Sequence, residues 1–153
     1  MSAKPPHLLL VEALFYEHIA ADLRRGAERA VAEAGATCEI ISVPGSFEIP
    51  PAIAMAAKAG TPYDGYVALG CVIRGETTHY DHICNETARA IQDLGSRDGL
   101  AVGFGILTCE DEAQALVRAS PALDQGGRDQ GGRAVRACLA LVELKRRLAE
   151  GGR

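Results

Sequence analysis

The sequence predicts an α/β fold: a single-domain, three-layer sandwich in which a four-stranded parallel sheet is flanked by helices. Two observations carry that expectation. Apolar, strand-like segments alternate with helix-period segments from end to end, the pattern of successive βαβ units. The composition is 48% hydrophobic but only 5% aromatic, with no Trp, so the core is built mainly from Ala, Val, Leu and Ile. At 153 residues the chain can bury such a core as one domain without disulfide or metal staples.

The strands are expected near 7–13 (HLLLVEA), 37–43 (TCEIISV), 64–73 (DGYVALGCVI) and 100–106 (LAVGFGI). Between the first two, Ile19, Leu23, Ala27, Ala30 and Ala34 recur every three or four residues, which predicts a helix near 16–34 that Gly35 stops. A second helix follows Ser46-Phe47-Glu48, because Pro50 and Pro51 fit only a first turn, and it ends near Gly60. A third, near 79–94, lines up Ile83, Thr87, Ala90, Ile91 and Leu94, with Thr78 and Asp81 as a capping box and Gly95 as terminator. A short fourth helix is expected to open at Thr108, paired with Asp111. The last, near 132–148, carries Val135, Cys138, Leu139 and Val142 on one stripe, widened by Leu141, Leu144 and Leu148. A stripe that broad predicts burial on two sides, by the sheet and either a deep core or a neighbouring subunit. The tandem DQGGRDQGGR at 124–133 reads as an extended loop.

The net charge of −4, with basic residues scattered rather than clustered, argues against nucleic acid as a partner. Five cysteines, at 38, 71, 84, 109 and 138, form no CxxC pair and read as free thiols of a soluble, cytoplasmic protein. No signal core or apolar run of about 20 residues is present, so neither export nor membrane insertion is expected.

In parallel α/β sheets ligands collect at the carboxyl ends of the strands. Four such loops carry suggestive residues: Phe15-Tyr16, PGSFE at 44–48, RGETTH at 74–79, and Phe104 with Thr108. Phe15 suits either stacking on a planar heterocycle or a core or hydrophobic-staple position. Glu48 suits either accepting hydrogen bonds from hydroxyls or solvated pairing with a helix dipole. His79 is a candidate general acid/base beside the free N–H groups of a helix start, and His82 shares its face. With no third ligand and no HExxH arrangement, the histidine pair predicts no metal. Arg118 suits either a phosphate clamp or a helix C-terminal partner.

Taken in order, VPGSFEIPPAI at 43–53, GCVIRGETTHYDHICNE at 70–86, FGILT at 104–108 and VRA at 117–119 closely resemble lumazine synthase, the penultimate enzyme of riboflavin biosynthesis. The resemblance runs from about residue 8 to about residue 148. It implies a flavodoxin-like topology, no cofactor, and condensation of 5-amino-6-ribitylaminouracil with 3,4-dihydroxy-2-butanone 4-phosphate. Phe15 then matches the aromatic that stacks on the pyrimidine, and Ser46, Phe47 and Glu48 match the segment that binds its ring and ribityl chain. Val72 and Ile73 match residues lining the heterocycle pocket, Gly75, Glu76 and Thr77 the phosphate-side loop, and His79 the proton-transfer residue. Phe104 and the phosphate-binding Arg118 match groups supplied by a neighbouring subunit.

Three positions depart from the pattern. Leu14 stands where Arg is usual, Tyr16 where Asn is common, and Gln130 where a lysine approaches the site. Two rivals follow from the same residues. A flavodoxin-like carrier would need a Gly-rich phosphate loop after the first strand, where Phe15-Tyr16-Glu17 stands instead. A storage or shell protein with a vestigial site is disfavoured by the presence of Phe15, Glu48, His79 and Arg118. The resemblance also implies a homopentamer, and the doubled DQGGR, about four residues longer than the short family form, is expected to obstruct further packing into a shell and leave an isolated pentamer or a back-to-back decamer.

Overall fold

A computed structural model of the chain describes residues 4–151. In order these form β1 (His7–Ala13), α1 (Glu17–Glu33), β2 (Thr37–Val43), α2 (Ile49–Lys58), β3 (Gly65–Ile73), α3 (His79–Ser96), β4 (Val102–Cys109), α4 (Glu112–Ala119) and α5 (Gln130–Ala149). The sheet order is β2-β1-β3-β4 and every pairing is parallel. The order reverses direction between β1 and β3, so the loops leaving these two strands diverge to opposite faces and open a crevice at their carboxyl ends.

Side-chain alternation along the strands divides the core into two layers. Leu8, Leu10, Val67, Leu69 and Leu107 face α1, α4 and α5, whereas Leu9, Val11, Ala68 and Ile106 face α2 and α3. Both faces are covered, which is why β1 and β3 read as continuous apolar runs. Glu12 interrupts β1 and is 1% exposed. Arg24 of α1 donates from Nε to its Oε1 at 3.2 Å and from Nη2 to Oε2, so the carboxylate is paired where it is buried.

The first three strands and the first two helices fall where expected, and α1 ends at Gly35 with φ +69°. Three expectations for the later elements are corrected. The fourth strand runs three residues further, because Val72 and Ile73 pair with Thr108 and Cys109 and so hold Thr108 in the ladder. The cap of α4 forms three residues later: Asp111 accepts the Gln114 N–H at 2.9 Å, and the Gln114 side-chain Oε1 accepts the Glu110 N–H at 2.8 Å. Gly95 lies inside α3, and the chain turns instead at Gly99, with φ +68°.

The tandem repeat does not form one extended loop. Its first copy is exposed around Gly126, but the second supplies the N-cap and first turn of α5. Asp129, 2% exposed and at φ 48°, accepts the Gly132 N–H at 3.1 Å and an Arg29 N–H at 3.2 Å. Gly131 and Gly132 are buried against α1. Only the first copy is therefore left to project from the surface. On α5, Val135, Cys138 and Val142 are buried as expected, whereas Leu141, Leu144 and Leu148 are exposed.

Candidate functional site

The crevice at the switch point is walled by three loops. The Leu14 N–H donates to the Val43 carbonyl at 3.0 Å, tying the turn after β1 to the end of β2 and holding Phe15 beside the 44–48 segment. Phe15 is 73% exposed and meets the ring of Tyr16 edge-on, with ring centroids 4.9 Å apart. That exposure decides against a core or staple role and leaves an aromatic face open. Tyr16 is half-buried, and desolvation pushes its hydroxyl pKa up, with the Cys71 thiol and Glu112 carboxylate adding to it.

After β2, Ser46–Glu48 form one 3₁₀ turn that runs directly into α2, whose first turn takes both prolines. The Glu48 side chain folds back over its own turn, so that a Cβ on Gly45 would sit 3.2 Å from its Oε1. It has no hydrogen-bond or ion-pair partner among the described residues and is an open acceptor facing the crevice. Ser46 is 6% exposed and its hydroxyl has no hydrogen-bond partner among the described residues. A side chain on Gly70 would bring its Cβ within 2.6 Å of that oxygen, so β3 leaves room for the hydroxyl by carrying glycine there.

The third wall is the end of β3, with Cys71, Val72 and Ile73, followed by the exposed loop Gly75-Glu76-Thr77 and the start of α3. Thr78 precedes α3 as expected, but its side chain makes no cap; the His79 N–H donates instead to Thr77 Oγ1 at 3.2 Å. The His79 ring is exposed to the crevice and has no hydrogen-bond partner among the described residues. Ile83, one turn later, extends the same wall. His82 lies outside it, and no cluster of metal-ligating side chains is present among the described residues. Burial pushes the Cys71 thiol up to about 12, with neighbouring Cys109 contributing, so the thiol stays protonated at neutral pH.

Together these walls enclose a cleft of about 550 Å³ that contains Phe15, Ser46, Phe47, Glu48, Val72, Ile73 and His79. Gly75, Glu76 and Thr77 connect two of its lining residues without lining it themselves. The residues that pattern reading missed are Cys71 and Ile83. Ile83 was within reach of the helical period, being four residues after His79, whereas Cys71 looked like an ordinary core residue.

Phe104 and Arg118 lie elsewhere. Phe104, 44% exposed on edge strand β4, faces a second groove of about 500 Å³ with Ile91, Val102 and Leu141. Arg118, in the last turn of α4, donates to the Gln114 carbonyl of its own helix at 3.1 Å. Gln130 stands in the first turn of α5, also outside the cleft, and Leu14 faces a shallow depression with Glu17 and Arg24. The cleft of one chain thus presents aromatic rings, an open carboxylate and an imidazole, but no Lys or Arg among the described residues.

Residues 5–146 match the protein family described as 6,7-dimethyl-8-ribityllumazine synthase. A protein of that name from Agrobacterium fabrum is 51% identical over 147 residues, covering 94% of this chain and 97% of the relative. The 6,7-dimethyl-8-ribityllumazine synthase 1 of Rhizobium meliloti is 52% identical over 149 residues, covering 95% of each chain. The 6,7-dimethyl-8-ribityllumazine synthase of Novosphingobium aromaticivorans is 52% identical over 139 residues, covering 91% of this chain and 96% of the relative. With the family matched over nearly the whole chain and relatives of one name at about half identity, this chain belongs to the 6,7-dimethyl-8-ribityllumazine synthase family.

Proposed function

We infer that this protein is the transferase that makes 6,7-dimethyl-8-ribityllumazine in riboflavin biosynthesis, condensing 5-amino-6-ribitylaminouracil with 3,4-dihydroxy-2-butanone 4-phosphate and releasing phosphate and water. The observation that carries the reading, beside family membership, is the gathering of Phe15, Glu48 and His79 in one cleft. Phe15 offers a ring face to the planar pyrimidine, and Glu48 offers acceptors to its polar groups or to the ribityl hydroxyls. The buried Ser46 hydroxyl supplies a further hydrogen-bonding group. An amine attacks the ketone and a water leaves to give the imine, the imine loses phosphate, and the ring closes with loss of a second water. The reaction sequence needs several proton transfers and no redox step, so one imidazole at His79 serves as proton donor and acceptor in turn.

The phosphate requires a cation that the cleft of one chain lacks. Arg118 supplies it from a neighbouring copy, with Phe104 closing the same side. The unpaired edge of β4, the exposed Phe104 and the exposed leucines of α5 support such a contact. The assembly is a homopentamer in the reducing cytoplasm, and the exposed first DQGGR copy keeps the pentamer from packing further.

The test is to incubate purified protein with both substrates and follow lumazine fluorescence; no product would refute the reading. Arg118→Ala is expected to weaken the butanone phosphate by about 1.5–3 kcal/mol, the scale of a hydrogen bond to a charged group, with pyrimidine affinity retained. Light scattering on the same samples should give about five times the 16.1 kDa chain mass. A mass near one megadalton would refute the loop argument, and an active monomer would refute the shared site.

A further inference from the structure

We propose that Arg74 is a positioning residue for His79, its guanidinium bracing the first turn of α3 against the turn between β4 and α4. The inference rests on the reading of His79 as the proton-transfer group. It begins from a gap in the support of that residue. Residues 75–79 are all exposed, an added Cβ on Gly75 would find nothing within 4 Å, and Thr78 makes no side-chain cap. Burial therefore does not fix the loop that delivers His79; its local bonds are that from the His79 N–H to Thr77 Oγ1 and those from the Asp81 and His82 N–H groups to the Thr78 carbonyl, which open the helix without tying it to the rest of the fold.

Arg74 supplies the missing constraint. Its own backbone is locked, because its N–H donates to the Cys109 carbonyl at 2.9 Å and so extends the β3–β4 pairing by one residue. From that fixed point Nε donates to Glu110 Oε2 at 2.7 Å, and Nη1 approaches Asp81 Oδ1 at 3.5 Å. The guanidinium carbon stands 4.3 Å from the centre of the Tyr80 ring. Tyr80 and Asp81 are the two residues that follow His79. Asp81 is also the carboxylate that pattern reading assigned to a capping box with Thr78, and it faces Arg74 instead.

The anchor at the other end is itself held. The Glu110 N–H donates to the Gln114 side chain at 2.8 Å, and Asp111 caps α4 by accepting the Gln114 N–H at 2.9 Å. Ion pairs as exposed as these contribute little to stability. Their effect is geometric: a planar fork that stacks and pairs at once defines one orientation, which a flexible ammonium does not.

Arg74→Gln, Arg74→Lys and Glu110→Gln test the brace by steady-state kinetics, thermal unfolding and NMR of protein labelled with ¹³C-histidine. A misplacement of about 1 Å can cost about 10²-fold, so Arg74→Gln is expected to lower kcat by about 10–100-fold with both KM values within about threefold. Its unfolding midpoint should stay within about 3 °C of wild type, as for an exposed ion pair. Arg74→Lys should fall between the two, Glu110→Gln should follow Arg74→Gln, and the His79 ring resonance should move in all three. An unchanged kcat overturns the proposal. So does a raised KM for the butanone phosphate at constant kcat, which would make Arg74 a phosphate ligand, or a loss of rate that tracks unfolding. Wild-type protein that forms no lumazine would refute the reading of the site, whereas a His79 resonance unmoved by Arg74→Gln refutes the brace whether or not the wild type turns over.

Discussion

Replacement of His79 by alanine is expected to lower turnover by about 10²–10⁴-fold, the usual contribution of one general acid/base, while product still forms. The residual rate follows from how the cleft works. Holding the pyrimidine and the butanone phosphate side by side replaces a bimolecular encounter and is worth up to roughly 7–11 kcal/mol in ideal systems. Phe15 and Glu48 perform that positioning on the pyrimidine side, and neither is touched by the substitution. Pyrimidine affinity should therefore stay within about threefold of wild type, the pattern of an interaction made in the transition state rather than the ground state. Single-turnover kinetics together with equilibrium titration of the pyrimidine checks both halves. A wild-type rate would remove His79 from the mechanism, and a parallel collapse of pyrimidine affinity would make it a binding group.

How much of this was legible in the residues differs by element. Strands β1 and β2 matched to the residue and β3 to within one, since runs of seven to nine residues are too short for most helices and β2 and β3 are rich in β-branched residues. The end of β4 did not match, because Thr108-x-x-Asp111 imitates a helix start and only pairing with Val72 and Ile73 holds Thr108 extended. That is a tertiary decision with no local signal. The site divides the same way. Phe15, Glu48 and His79 could be placed near one another from the topology alone. Whether Phe15 was a staple or an open ring face was decided by its exposure of 73%, which no local pattern encodes. Phe104 and Arg118 face away from the cleft of their own chain, so residue pattern could include them only through resemblance to a family whose subunits share sites.

The second copy of DQGGR gives the other large expected effect. Intrinsic helix propensity says that Gly131→Ala, in the first turn of α5, should stabilise the protein by about 1 kcal/mol. The packing says the opposite. A Cβ at 131 would lie 2.1 Å from the Leu23 carbonyl oxygen and 2.9 Å from the Leu23 carbonyl carbon, which are backbone atoms of α1 and cannot swing aside. Leu23 is fully buried in the core shared by α1 and α5, so the two helices must separate. Moving α5 also strains the buried Asp129, which links the Gly132 N–H to Arg29. Overpacking of this kind costs typically 1–3 kcal/mol and can cost more, so a net destabilisation of about 2 kcal/mol is expected after the propensity gain. For a chain of this length that lowers the unfolding midpoint by roughly 4–8 °C. Differential scanning calorimetry of Gly131→Ala beside wild type decides the sign: a higher midpoint would mean that the glycine is a loop remnant, and a lower one that it is the contact at which α5 meets α1.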